Sequence, residues 1–115
     1  MTYTVKVTKQ AYGQMREIMS YITNELFAPE AAQNLLDKFQ KAISDLADMP
    51  KRHSLVDEEP WRSEGVRKIV VKNFLIYFWV DDENMRVQVT AVIYQRRDQL
   101  ARLADMEWEY GRAGK

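Results

Sequence analysis

The sequence predicts an α+β fold of order β-α-α-β-β-β-α, a helical hairpin packed on a small, mainly antiparallel sheet with a further helix at the C-terminus. Three observations predict it. Near the N-terminus, apolar residues first alternate with polar ones and then recur at three- and four-residue spacing. The helical spacing continues through two segments, interrupted at Ala28-Pro29. From Val66 to Tyr94, three runs rich in β-branched and aromatic residues are separated by short turn-forming segments.

In the first strand Tyr3, Val5 and Val7 alternate with Thr4, Lys6 and Thr8, the period of a strand with one buried face. Thr8 is also placed to cap the next helix, its hydroxyl accepting from the first free amides. From Lys9 onward Tyr12, Met15, Ile18, Met19, Ile22 and Leu26 form one apolar stripe, weakened slightly by Gly13. A second helix starts at Ala28-Pro29-Glu30, because proline suits a first helical turn and an acid there complements the helix dipole. Its stripe is Leu35, Leu36, Phe39, Ala42, Ile43, Leu46 and Met49, with Pro50 as the stop. So short a connection makes the two helices an antiparallel hairpin.

Residues 51–65, KRHSLVDEEPWRSEG, lack a period and contain Pro60 and Gly65, so they read as a long loop, a kind of segment that is often functional. The meander comes next as residues 66–72, 74–80 and 87–94, turning at Asn73 and at Asp81-Asp82-Glu83-Asn84. Its middle run is apolar on both faces and belongs in the centre of the sheet. Residues 98–110 return to helical spacing through Leu100, Leu103, Met106 or Glu107, and Tyr110, with Asp98 as N-cap and Gly111 as the end.

At 115 residues with 46% hydrophobic content, the chain fits one domain spanning residues 1–115. There is no cysteine and only one histidine, His53, so disulfides, thiolate zinc sites and histidine clusters are excluded. No metal or cofactor is expected, and a reducing cytoplasm is the natural setting. The longest uninterrupted apolar stretch, residues 74–80, is far below the roughly 20 residues that a membrane helix needs, so no membrane association is expected.

Formal charge is zero, but unevenly spread. Residues 1–65 carry 8 basic and 10 acidic side chains, whereas residues 66–102 carry 7 basic and 4 acidic. This asymmetry permits polyanion binding and is weaker than a phosphate-binding face usually shows. Arg67, Lys68 and Lys72 sit on the first meander run, Arg67 on one face and the two lysines on the other if the strand is regular. They read either as solvated charges of an outer strand or as a cationic wall for phosphate. Tyr94, Arg96, Arg97 and Asp98 close the meander; of the two arginines, one facing solvent would hold a phosphate or an acidic partner, and one facing inward would pair with an acid. Tyr77 and Trp79 read as core aromatics rather than base-stacking platforms. Gly-rich phosphate loops and serine elbows are absent, and His53 reads as a surface residue of the long loop. Any nuclease chemistry would be metal-independent and would lean on positioning and cationic stabilisation of the transition state.

The meander GVRKIVVKNFLIYFWVDDENMRVQVTAVIYQRRDQL, with Lys72-Asn73-Phe74 leading into Ile76-Tyr77 and Val92-Ile93-Tyr94 ahead of Arg97-Asp98, resembles the C-terminal half of the RelE/ParE superfamily. These are bacterial toxins of type II toxin-antitoxin modules. The element order agrees over essentially the whole chain. The resemblance implies a growth-inhibiting toxin, of plasmid-stabilisation type, whose partners are a cognate antitoxin and a target. The target is DNA gyrase for ParE-like members and the ribosome with mRNA for RelE-like members, which cleave message in the A site. In that second mechanism Arg67, Tyr94, Arg96 and Arg97 would be catalytic, with Lys68 and Lys72 binding nucleic acid or target. Arg67 falls near a family lysine position and Tyr94 where many relatives carry histidine. Phe74 stands where RelE-like members are expected to carry a catalytic arginine, and the ending Tyr94-Gln95-Arg96-Arg97-Asp98 looks closer to ParE-like relatives. The expectation therefore leans to gyrase, with a metal-independent, ribosome-dependent endoribonuclease and an inactive protein-binding remnant as alternatives.

Overall fold

The computed structural model describes residues 2–95. The expected C-terminal helix over residues 98–110, with Asp98 as its cap, lies outside them. Within them the chain forms strand β1 (Thr4–Val7), helix α1 (Lys9–Ser20), helix α2 (Pro29–Ser44) and strands β2 (Val66–Val71), β3 (Phe74–Asp81) and β4 (Arg86–Tyr94). This matches the predicted order, and the α+β architecture holds.

Thr8 caps α1 as its chemistry requires: its hydroxyl accepts from the Ala11 amide at 3.2 Å. The buried line of α1 is Ala11, Gln14 and Met15. Tyr12, placed in the core stripe by spacing, is instead 59% exposed, because the stripe turns on Ala11 one position earlier. At Tyr21 the helix loosens into a π-turn, Tyr21–Glu25, closed by the Leu26 amide on the Tyr21 carbonyl. A wider turn rotates the residues beyond it, so Leu26 also leaves the core and is 54% exposed.

Helix α2 begins on Pro29 and buries Ala32, Leu35, Phe39 and Ile43. It stops at Ser44, six residues before the predicted proline stop. A tighter 3₁₀ turn, Asp45–Ala47, carries Leu46 into the core. Met49 then adopts a left-handed backbone and points outward, which corrects its assignment to the apolar stripe. A second 3₁₀ turn, Pro50–Arg52, starts the long connection.

The sheet has strand order β1-β4-β3-β2. β2, β3 and β4 form the predicted antiparallel meander, and β1 lies parallel to β4, pairing Thr4–Val7 with residues 86–89. The first hairpin turns on Lys72 and Asn73, with Lys72 at φ 56. Lys72 is therefore a turn residue and not the last residue of a strand, as the sequence pattern implies. The second register slips between Tyr77 and Phe78, leaving Thr90 as an extra residue on β4.

Two cores result. On the helix side Ala11, Met15, Leu35, Phe39, Ile43 and Leu46 pack on Ile76, Phe78, Val87, Val89 and Val92. Phe39 is fully buried there, and truncation of such a side chain typically costs about 3–5 kcal/mol. On the outer face Val56, Val66, Leu75, Tyr77, Ala91 and Ile93 form a smaller cluster against Trp61. The loop after the second 3₁₀ turn seals this face by pairing with β2: the Val56 amide donates to the Val66 carbonyl at 2.9 Å, and the Lys68 amide to the Ser54 carbonyl at 3.1 Å. Tyr77 is thus a core residue, as expected, and Trp79 is half-buried against Gly65, whose φ of 89 only glycine takes easily.

β1 ends at Val7 while β4 runs on to Tyr94, so the edge of β4 loses its strand partner inside the core. Side chains from the start of α1 replace it. The Thr8 hydroxyl reaches the Thr90 carbonyl at 3.4 Å, and the Val92 amide donates to Gln14 Oε1 at 2.8 Å. Gln14→Leu keeps the shape and removes the acceptor, leaving that buried amide unpaired. Its expected cost is about 1–3 kcal/mol, read as a lower urea midpoint with unchanged slope.

Candidate functional site

Arg67 lies opposite Phe78 on the helix side of β2, whereas Lys68 lies opposite Tyr77 on the outer face. The opposed faces are as the alternation of the strand predicts. The Arg67 guanidinium donates through Nη1 to the carbonyl oxygens of His53, at 2.6 Å, and Lys51, at 3.3 Å. It clamps the turn that leads from the helices to the sheet. Lys68 is 4.0 Å from the Asp57 carboxylate, and Lys72 stands on the hairpin turn.

Tyr94 ends β4 opposite Phe74. Phe78 and Phe74, the β3 partners of Arg67 and Tyr94, are four residues apart, which is roughly 13 Å along a strand. Arg67 and Tyr94 therefore do not meet over one phosphate, and neither shares a face with Lys68. Arg96 and Arg97 lie outside the described residues. Among the described residues no group of three or more histidine, aspartate or glutamate side chains gathers to hold a metal ion, and no helix is long and apolar enough to cross a membrane.

Phe74, at the position where a catalytic arginine would be expected, works as a wedge. Its ring meets Phe39 edge-on at 5.5 Å and Tyr94 at 5.4 Å between centroids. It helps line an open groove of about 700 Å³ between the end of α1 and the ends of β3 and β4. Ile18, Tyr21, Ile22 and Leu26 line the groove from the helix side, Val92 and Tyr94 from the sheet, and Gln14 and Glu17 add polar atoms. Sequence spacing places Leu26 in the core and misses the groove, whereas Ile22 packs against the core as expected and also lines the groove. The available signal is Leu26-Phe27 at a helix end, where a capping glycine or asparagine is usual.

A second cluster joins three distant segments. Asp82, on the turn between β3 and β4, accepts from the Tyr3 hydroxyl at 2.7 Å and from the Lys51 ammonium at 2.8 Å. The Lys51 bond, then the Tyr3 bond, hold the Asp82 carboxyl below the usual carboxylate range. Asp81 is likewise lowered, first by Asn84 and also by Arg86, which lies 3.2 Å away. His53, expected at the surface, is half-buried with its ring edge-on to Phe78 at 5.8 Å. Burial, then the charges of Arg52 and Arg67, push its pKa down.

The arrangement of a helical hairpin on a four-stranded mixed sheet recurs in solved toxin structures. The ParDE system from P. aeruginosa superposes with a TM-score of 0.67 at 18% identity, over 83% of this chain and 98% of that one. A substituted E. coli RelE toxin in the free state gives 0.60 at 15% identity, over 91% and 93%. The RelBE2 toxin-antitoxin complex from Mycobacterium tuberculosis gives 0.58 at 19%, over 82% and 99%. At such identities these likenesses define the class by fold alone. A search of curated proteins finds no significant match. Residues 5–99 match the family described as the ParE toxin of the type II toxin-antitoxin system parDE. The chain belongs to that ParE toxin family, and is a type II toxin of the RelE/ParE superfamily.

The environment of His53 sets a pH dependence. Its folded-state pKa lies below the ordinary 6.5, so on acidification the unfolded chain takes up this proton first. The resulting stability is fully present above about pH 6.5 and is lost as pH falls through the lower folded-state value. Urea melts between pH 7.5 and 5 are expected to show falling stability, with a flatter profile for His53→Gln. The lowered carboxyls of Asp81 and Asp82 act further down, below about pH 4.

Proposed function

We propose that this toxin arrests growth by binding a protein target, DNA gyrase, and not by cleaving mRNA on the ribosome. The observation that carries this reading is the divergence of the candidate phosphate-handling residues among the described residues. Arg67 is held by backbone carbonyls on the helix side, Lys68 lies on the opposite face beside Asp57, Lys72 is on a turn and Tyr94 is at the far end of the sheet. Cleaving a phosphodiester without a metal needs several cationic and proton-transferring groups held around one phosphorus. The outer face of the sheet is instead an apolar cluster sealed by a loop. A zero net charge fits poorly with tight, salt-sensitive capture of a polyanion. In this reading Arg67 is a positioning residue for the turn at Lys51–His53.

The cognate antitoxin is the second partner. The groove of Tyr21, Ile22, Leu26, Phe74 and Tyr94 suits the apolar stripe of an amphipathic segment that orders on binding. Its occupancy by an antitoxin is supported by membership of a family defined by such pairs.

The purified toxin is expected to block plasmid supercoiling by DNA gyrase and to leave message intact in a translating extract. Message cleavage that disappears in Arg67→Ala or Tyr94→Phe would overturn this in favour of the nuclease. Induced expression is expected to stop growth, and co-expression of the product of the adjacent reading frame to restore it. Tyr94→Ala should weaken capture by that product roughly tenfold, measured by calorimetry.

A further inference from the structure

The connection between α1 and α2 breaks two rules at one residue. Phe27 holds a left-handed backbone, φ 52, a conformation that is unfavourable for a residue with a Cβ and suited to glycine or asparagine after a helix. It gains no burial in compensation, since it is 85% exposed. The preceding Leu26 is 54% exposed and Tyr21 57%, and both line the groove. An apolar strip thus runs from the groove to the tip of the hairpin. Met49 shares the backbone conformation and is also exposed, but its chain neighbours are Asp48 and the buried Pro50, so it extends no strip. Strain and apolar exposure combined in one residue are a mark of sites whose compensation comes from another molecule.

Charge defines the chemistry of that molecule. Residues 17–37 contain Glu17, Glu25, Glu30 and Asp37 and no lysine or arginine, in a chain whose overall charge is zero. Glu17, Glu25 and Glu30 are all exposed. The tip is an aromatic on an acidic ground, and its complement is an aromatic-accepting socket rimmed by basic side chains.

We propose that the tip of the helical hairpin, with Phe27 as anchor and Glu25 and Glu30 beside it, is the surface by which the toxin grips its target, a basic protein face with a socket for the ring. This deepens the proposed function and rests on it only for the identity of the target. The groove and the tip share Leu26 and Tyr21, so a segment lying in the groove covers part of the strip. Neutralisation is then competition for one surface.

The test compares Phe27→Gly, Phe27→Asn and the double reversal Glu25→Lys with Glu30→Lys in the full chain. Three readouts are used: growth arrest at matched abundance, supercoiling by DNA gyrase, and thermal melting. Phe27→Gly relieves the backbone and is expected to raise the melting temperature by roughly 3 °C. Both Phe27 variants and the double reversal should abolish growth arrest and raise the concentration for half-inhibition of gyrase at least roughly tenfold. Better folding with weaker toxicity is a combination that a structural role for Phe27 does not produce. Growth arrest unchanged in the Phe27 variants overturns the proposal while leaving gyrase as target. Wild-type arrest without loss of supercoiling, abolished by the same variants, supports the tip and removes gyrase. A wild-type chain that does not arrest growth overturns both. A wild-type dimer that Phe27→Gly dissolves, or loss of capture by the adjacent gene product with arrest intact, reassigns the strip and overturns the proposal.

Discussion

Everything in this fold depends on how the interrupted edge of β4 is completed. A strand buried on both faces must also have its edge amides paired, and β1 supplies partners only as far as Val89. The chain solves this by starting α1 where β1 stops. Thr8 closes the last strand bond through its amide on the Val89 carbonyl at 3.0 Å, caps the helix and touches the Thr90 carbonyl with the same hydroxyl. Further along the helix, Gln14 takes the Val92 amide. The direction of α1 over the sheet is set by these bonds, and α2 is placed in turn by packing on α1.

Beyond this pinned start, the far end of α1 faces the ends of β3 and β4 across a groove. The π-turn at Tyr21–Glu25 keeps Ile22 against the core and leaves Tyr21 and Leu26 exposed, while Phe74 and Tyr94 line the same groove from the strand ends. A groove is the necessary result of a helix pinned at its N-terminus and loosened at its C-terminus. The opposite face of the sheet has the contrary fate. There the loop after Arg52 lies down on β2 and is held by Arg67 from the other side, so a surface that could have been a cationic trough is closed and apolar.

Much of this is legible in the residues. Alternation finds β1, β-branched and aromatic runs between turn formers find the three meander strands, Thr8 announces itself as a cap, and Pro29 marks the second helix, because each of these signals acts within a few residues. The departures come where a local pattern meets a distant constraint. Gln14 is polar and so fails every pattern for a core residue, although a buried glutamine is the group that an unpaired strand amide requires. Tyr12, Leu26 and Met49 satisfy a spacing rule that assumes one unbroken helical phase, which Ala11, the π-turn and the 3₁₀ turns shift. Lys72 reads as a strand residue because a positive φ leaves no trace in a lysine. Arg67 has two readings in sequence, and only the position of the His53 carbonyl favours the structural one.

The contrast between the acidic hairpin tip and the more basic sheet region gives a chain of zero net charge a means of selection. Electrostatic guidance depends on where charge lies rather than on its sum, and Glu25 and Glu30 flank Phe27 in a span, Glu17 to Asp37, that holds no lysine or arginine. Several cations elsewhere are already engaged: Arg67 and Arg86 of the sheet with carbonyls and with Asp81, and Lys51 of the connection with Asp82. A basic protein surface approaching the hairpin meets an acidic tip crowned by an aromatic ring. Under the proposed role of the tip, this asymmetry favours a basic target surface before any shape is compared, and the strained Phe27 supplies the fit.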